Sequence, residues 1–186
     1  MKQKLTLRRV LASAVAALAA AAAVWLLCRW VGYDLQLRIG NAPVYEIAND
    51  DYTQIIDVPE DGLWQAVPLE AGQTLYGCRL RFSTHGELYR AGMVMVDLCD
   101  ADGTILREAA GNYANIFDDN FTGFAFGTAY TAAQAETLCL HIYNVVEWEG
   151  PLGLWASAGT VGALSLTADG VDADATLALQ LSLIHI

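Results

Sequence analysis

Apolar positions are arranged differently in the N-terminal segment and in the remainder of the chain. Residues 10–28 carry no charge, and Ser13 is the polar side chain among them, so the apolar stretch is continuous. After Gly40, apolar and polar positions alternate over short runs that turn residues separate. A continuous stretch of about 20 apolar residues is typical of a helix that crosses a bilayer. Period-two alternation is typical of strands with one buried face.

Ten short runs in the second part have the strand pattern. In 74–82, for example, Cys78, Leu80 and Phe82 fall on one face of the strand. Residues 100–103 read Asp-Ala-Asp-Gly, which predicts a hairpin turn whose glycine supplies a positive φ. The predicted strands are 52–57, 63–67, 74–82, 92–99, 104–108, 121–126, 137–143, 153–156, 161–167 and 176–181.

The number and spacing of these runs predict a mainly β fold class. Short strands with turns every 8–12 residues indicate an antiparallel β-sandwich or barrel, and we expect it to be preceded by one N-terminal transmembrane α-helix. A single helical turn is predicted at 131–136. The expected division is a basic cytoplasmic tail (1–9), a transmembrane helix (10–30), a linker (31–43), an extracytoplasmic β-sandwich (44–180) and a terminal segment that resembles a translated DNA-sequencing adapter (181–186).

Charge is divided between the two parts of the chain. The net charge of −11 is the sum of +5 in residues 1–33 and −16 in residues 34–186, where five arginines oppose all 21 acids. The basic residues at the start predict that the N-terminus stays in the cytoplasm and that the acidic domain lies outside the cell membrane. The acidic domain disfavours a nucleic-acid partner, because phosphates would be repelled.

A cleaved signal peptide is the alternative to a membrane anchor. The apolar stretch is longer than the 7–15 residues of a usual signal peptide, and bulky residues such as Leu27 and Trp30 stand where a peptidase needs small ones. We therefore favour an uncleaved signal anchor, with the membrane as a partner through residues 10–30. Either alternative exports the acidic domain.

The last six residues have two interpretations. Residues 181–186, Leu-Ser-Leu-Ile-His-Ile, resemble the translation of a transposase-based sequencing adapter, in which case the chain is an N-terminal fragment. They also fit a final strand, because Leu177, Leu179, Leu181 and Leu183 alternate. Amplification-free long-read sequencing distinguishes these interpretations, since an in-frame stop after the Ile186 codon would exclude the adapter.

One ordered set of segments resembles a family. The set comprises Trp64-Gln65, 75–84 (LYGCRLRFST), 94–98 (VMVDL), the turn at 100–103, Asp119-Asn120, 124–126 (FAF), 138–142 (LCLHI) and Leu154-Trp155. It is similar to the extracytoplasmic β-sandwich after the first transmembrane helix of bacterial multi-pass membrane proteins. Those proteins are associated with envelope polysaccharide assembly and resemble glycosyltransferases. The sequence departs from the pattern at 84–86 (Thr-His-Gly).

The resemblance implies a jelly-roll-like sandwich outside a bacterial cell membrane, but no catalytic residue. The expected function is an accessory domain that binds envelope glycan or a protein partner, including the membrane helices of its own longer chain. Alternatives are the N-terminal fragment of a glycosyltransferase-like enzyme and a purely structural domain. No nucleophile, zinc or nucleotide motif is present, so no catalytic residue is assigned.

Candidate binding residues come from aromatic side chains and from one acidic corner. Trp148 lies between two glutamates in a predicted loop, and Tyr89 and Tyr113 are further sugar platforms, since pyranose CH groups pack on aromatic rings. Each is more often a packing residue. No cofactor is expected, although Asp118, Asp119 and Asn120 offer oxygen ligands for calcium. Asx capping is the alternative for these three.

Three cysteines lie in the predicted sandwich, so they cannot all pair with one another. Small buried hydrophobic residues are one interpretation of Cys78, Cys99 and Cys139, and a single disulfide is the other. The isolated His85 and His141 have no nucleophile motif nearby, and solvated histidines are expected.

Overall fold

The alternating runs of the sequence form thirteen strands in the part of the chain that the structure describes. The computed structural model describes residues 13–26, 44–88, 91–145 and 151–185. The strands are β1 (Val44–Asn49), β2 (Gln54–Asp57), β3 (Leu63–Leu69), β4 (Gln73–Ser83), β5 (Met93–Cys99), β6 (Ile105–Asn112), β7 (Asn120–Thr131), β8 (Glu136–Asn144), β9 (Gly153–Ala158), β10 (Leu166–Ala168), β11 (Val171–Asp172), β12 (Ala175–Leu177) and β13 (Leu179–His185). One 3₁₀ turn, Tyr113–Asn115, follows β6.

The chain divides into two units, 1–42 and 43–186. The described part of the first unit is one helix, α1 (residues 13–26). Within the residues described here, no helix has the length and apolarity that a membrane crossing requires. The second unit holds all thirteen strands.

Two antiparallel sheets make up the second unit, as the sequence predicted for a β-sandwich. In the first sheet, β2, β9, β4 and β7 are neighbours in that order, β12 also pairs with β9, and β13 joins β4 to β1. In the second sheet the order is β11-β10-β3-β8-β5-β6. From β2 to β9 the chain passes between the sheets repeatedly, so that each sheet collects strands distant in sequence.

The period-two pattern correctly identifies the buried face of the central strand β4. Cys78, Leu80 and Phe82 are at most 1% exposed, and they belong to one cluster of buried apolar side chains from both sheets. The sheets also share a polar connection, because Gln65 of β3 lies in this interior. Its Oε1 accepts a hydrogen bond from the Leu177 N–H at 2.9 Å.

Some strand boundaries differ from the predicted ones because backbone hydrogen bonds set them, and side-chain alternation does not show those bonds. The predicted run 176–181 is split at Ala178, whose N–H donates to the Trp155 carbonyl while its own carbonyl accepts from Arg81. Most of 161–167 is a turn, with the Leu164 N–H bonded to the Val161 carbonyl. The strands β1 and β11 were not predicted.

The helical turn predicted at 131–136 is wrong. The backbone of Ala132 exchanges hydrogen bonds with the turn between β3 and β4: its N–H donates to Gln73 and its carbonyl accepts from Gly72. These pairings replace those of a helical turn.

The hairpin predicted at 100–103 is confirmed, because the Gly103 N–H bonds to the Asp100 carbonyl and Gly103 has φ of 81°.

The segment with two interpretations forms strand here. Residues 181–185 belong to β13, where Leu181 is opposite Cys78 of β4 and Leu183 is opposite Leu75. Leu181 and Leu183 are 5% and 6% exposed.

Candidate functional site

Four side chains in register form a row across the second sheet. Trp64 of β3 is opposite His141 of β8, His141 is opposite Asp97 of β5, and Asp97 is opposite Glu108 of β6. Their sequence neighbours on β3, β5 and β8 are buried. Since successive side chains point to opposite faces of a sheet, this row lies on the face away from the core, which we call the outer face.

Three rings on this face form an aromatic stack, consisting of Trp64, His141 and Tyr143. The Trp64 and His141 ring centroids are 3.9 Å apart with an interplanar angle of 12°, and those of His141 and Tyr143 are 4.5 Å apart at 22°. The imidazole is the middle ring, so its neighbours cover both of its faces. One face of Trp64 and one face of Tyr143 therefore lie outside the stack. All three residues are half-buried.

Backbone groups of the turn before β3 orient the His141 ring. The His141 Nε2 lies 3.0 Å from the Asp61 carbonyl oxygen, and a carbonyl only accepts, so Nε2 carries a proton. Gly62 has φ of 80°, and a Cβ on it would lie 2.6 Å from His141 Nε2. Glycine at this position thus meets two requirements, the left-handed backbone and the space for the imidazole.

Asp97 is fully buried at the base of the stack. The Tyr143 hydroxyl donates a hydrogen bond to its Oδ2 at 2.9 Å, whereas Oδ1 has no hydrogen-bond partner among the described residues. Burial raises the pKa of Asp97, and the Tyr143 hydrogen bond opposes this rise. Burial and the bond to Asp97 together raise the pKa of Tyr143 to about 12.

This environment predicts a pH-dependent stability. Because the folded state raises the pKa of Asp97, folding favours its protonated form, and this contribution is lost as pH rises from the ordinary value of 3.8 through the raised pKa. We expect the free energy of unfolding of wild type to fall relative to Asp97→Asn across that window. Urea denaturation at a series of pH values measures the difference.

A matched control for this measurement is Asp102→Asn, at an exposed position in the adjoining hairpin turn. The same pH-dependent difference in both variants would contradict the assignment to Asp97, since it would reflect general charge on the domain.

The acidic corner proposed for calcium is occupied by internal hydrogen bonds. Asp118 Oδ1 accepts from the Thr84 N–H at 2.7 Å, and the pKa of Asp118 is lowered chiefly by that bond. Asp119 Oδ1 accepts from Arg81 Nε at 2.9 Å and from its Nη2 at 2.6 Å. Asn120 Oδ1 accepts from the Phe121 N–H. Across the described ranges, no group of three or more His, Cys, Asp or Glu is placed to hold a metal.

The predicted aromatic platforms have different outcomes. Trp148 and Tyr89 lie outside the described residues. Tyr113 is 1% exposed, its hydroxyl bonds to Asn144 Oδ1, and its ring packs against Gly92. A ring so enclosed has no face open to a ligand, so Tyr113 is a packing residue.

Neither His85 nor His141 is simply solvated. His85 Nε2 lies 2.8 Å from Asp57 Oδ1, and His141 is the middle of the aromatic stack. The three cysteines of the sandwich are free thiols, with Cys78 and Cys99 buried and Cys139 half-buried.

A concavity lies beside strands β1, β3, β8 and β13. Its volume is about 720 Å³, and its lining combines apolar side chains such as Leu69 and Leu183 with the carboxylates of Glu46, Glu70 and Glu136. Glu136 already accepts a hydrogen bond from the Tyr130 hydroxyl at 2.8 Å. The cavity thus presents a negative rim to any occupant.

The sequence did not predict the aromatic stack, although the alternating pattern of one strand contained part of it. The inward leucines of 137–143 place Cys139, His141 and Tyr143 together on the outer face of the predicted strand. Alternation does not identify the strands that lie beside this one. It therefore could not place Trp64 and Asp97 next to His141.

The outer face joins three stacked rings with the buried carboxyl group of Asp97 and the exposed carboxylate of Glu108. Stacked rings beside an exposed hydrogen-bond acceptor suit a ligand that has both apolar faces and polar groups. No protein-family model matches the sequence, and no curated protein matches it.

Proposed function

We propose that the second unit is a carbohydrate-binding domain whose ligand packs on the aromatic stack. The observation that carries this proposal is the half-buried aromatic stack on the outer face, in which Trp64 and Tyr143 each have one ring face outside the stack. The CH groups of a pyranose pack on such ring faces, while its hydroxyls need acceptors nearby. Glu108, exposed at the end of the same row, is one such acceptor.

The ligand best suited to this surface is a neutral glycan. Residues 34–186 carry a net charge of −16, so an anionic polymer would be repelled at low ionic strength. A neutral, hydroxyl-rich chain is not repelled in this way, and its stacking on aromatic rings does not require charge.

Binding is tested by a screen of neutral and anionic envelope polysaccharides with the purified chain, followed by titration. We expect Trp64→Ala to weaken glycan binding at least tenfold, because a central aromatic contact contributes about 2 kcal/mol or more. Phe117→Ala is the matched control, since Phe117 is 59% exposed outside the stack. Equal affinity of both variants, or no binding by wild type to any glycan, would reject the proposal.

We also propose that this domain is a jelly roll. The neighbours β2-β9-β4-β7 in one sheet and β3-β8-β5-β6 in the other support this. Numbering β2 to β9 as eight strands, they give two four-stranded antiparallel sheets in Greek-key order, the arrangement of jelly rolls in lectins and capsids.

We further propose that residues 10–30 anchor the domain to a bacterial cell membrane, with the N-terminus inside and the sandwich outside. The uncharged stretch 10–28 and the four basic residues before it support this topology. Protease added to intact cells should degrade the sandwich and spare an N-terminal tag. Full protection of the sandwich would contradict the topology.

Within that setting, two other roles follow from the family resemblance. The domain could serve as the outer part of a multi-pass glycosyltransferase-like enzyme, or pack against the helices of such a protein as a structural element. A transmembrane-rich reading frame beyond residue 180 would favour these roles, and binding of isolated glycan would favour the first proposal.

A further inference from the structure

Two cysteines are direct neighbours across the second sheet. Cys99 of β5 is opposite Cys139 of β8, in the same register that places Asp97 opposite His141. Since both are two residues from members of the outer row, their side chains share its outer face. Cys99 is fully buried, and Cys139 is half-buried.

This arrangement meets the geometric requirement of a disulfide. Directly opposite residues of an antiparallel pair have Cα atoms about 4.5–5.5 Å apart, and disulfides join Cα atoms about 4.4–6.8 Å apart. The two side chains leave the sheet in the same direction, so the register and the shared face are compatible with a disulfide.

The third cysteine of the sandwich is excluded from this pair by its position. Cys78 lies in the other sheet, on β4, opposite Phe124 of β7 and Leu181 of β13. It is 1% exposed within the cluster of buried apolar side chains. The three cysteines of the sandwich are therefore one core thiol and one facing pair.

We propose that Cys99 and Cys139 are a disulfide-forming pair, oxidised by thiol–disulfide exchange with a small-molecule or protein disulfide. The Cys139 thiolate attacks one sulfur of the oxidant, whose other sulfur leaves as a thiolate. The Cys99 thiolate then attacks the Cys139 sulfur of the mixed disulfide and releases the second thiolate. The protein loses two protons and two electrons, and the oxidant is reduced to two thiols.

The order of attack follows from exposure, since Cys139 is the more accessible thiol. Burial raises the pKa of Cys99 to about 11 and also raises that of Cys139. Exchange requires the thiolate, so oxidation is slow at neutral pH and accelerates as pH rises. Once formed, the bond joins β5 to β8 next to the base of the aromatic stack.

Peptide mapping tests this pairing directly. Arg90 and Arg107 flank Cys99, and no Lys or Arg follows Arg107, so trypsin places Cys99 in 91–107 and Cys139 in 108–186. Cys28 and Cys78 fall in two other peptides, 10–29 and 39–79. The native full chain is incubated with oxidised glutathione, blocked with an alkylating agent, digested and analysed by mass spectrometry.

We expect peptides 91–107 and 108–186 to be joined, at a mass two hydrogens below their sum, and to separate on reduction. Cys78→Ser should leave this product unchanged, whereas Cys139→Ser should abolish it. A stable glutathione adduct on Cys139 without cross-link, a bond to Cys78 or Cys28 instead, or no product at alkaline pH would each overturn the proposal. The readout is independent of glycan binding, so failure of either proposal leaves the other to be judged separately.

Discussion

Phe82→Ala is expected to lower the free energy of unfolding by about 3–5 kcal/mol, the cost of replacing a buried phenylalanine by alanine. Phe82 is 0% exposed, and its ring centroid lies 5.8 Å from that of Phe124. It also lies where β4 meets two strands, opposite Asn120 of β7 and Leu154 of β9. The cavity left by the ring would thus open in the core beneath three paired strands, which cannot easily collapse into it.

Urea denaturation monitored by circular dichroism measures this loss. Phe117→Ala removes the same atoms from a side chain that is 59% exposed, so its effect should stay within about 0.5 kcal/mol. A Phe82→Ala protein as stable as the Phe117→Ala protein would show that Phe82 is not a core residue of the sandwich.

Gly77→Ala is expected to destabilise the domain by about 3 kcal/mol, the upper part of the usual range for overpacking. A Cβ on Gly77 would lie 2.1 Å from the Phe124 carbonyl oxygen and 3.0 Å from the Ala125 Cα. Both are backbone atoms of β7, so a side-chain rotation cannot relieve the contact. The β4–β7 pairing, which already shifts register between Leu75 and Gly77, would have to separate there.

The control is another strand glycine, Gly127 of β7. An added Cβ at this position meets no atom within 4 Å, so Gly127→Ala should be neutral or should stabilise by about 0.5–1 kcal/mol through lower chain entropy. Thermal and urea unfolding of both variants compare them. Equal stabilities would mean that Gly77 is kept for a reason other than the close approach of β7.

The sequence pattern identifies most of the strands and their buried faces, but not the candidate site. Alternation along 74–82 identifies Cys78, Leu80 and Phe82 as buried, because one buried face imposes period two on any strand. The hairpin at 100–103 is likewise local, since its glycine and Asp100 act within the turn itself. Asp100 Oδ1 accepts from the N–H groups of Asp102 and Thr104.

The aromatic stack and the cysteine pair depend on contacts between strands distant in sequence. Trp64 and His141 meet only because β3 pairs with β8, and Cys99 meets Cys139 only because β5 pairs with the other side of β8. Alternation assigns faces but leaves the partner and the register undetermined. For the same reason Tyr113 could not be separated in advance from an exposed platform, since its burial follows from contacts with Gly92 and Asn144.

The position of β13 has a consequence for the folding of the chain. β13 lies between β1 and β4, so residues 44–49 find their partner only at 179–185. Such non-local pairing has a large loop-closure entropy, and domains with this topology fold in milliseconds to seconds. Until β13 is in place, β1 has no partner and one side of β4 is largely open, which are edges that another chain can pair with. Refolding yield should therefore fall as protein concentration rises, because association competes with the late arrival of this strand.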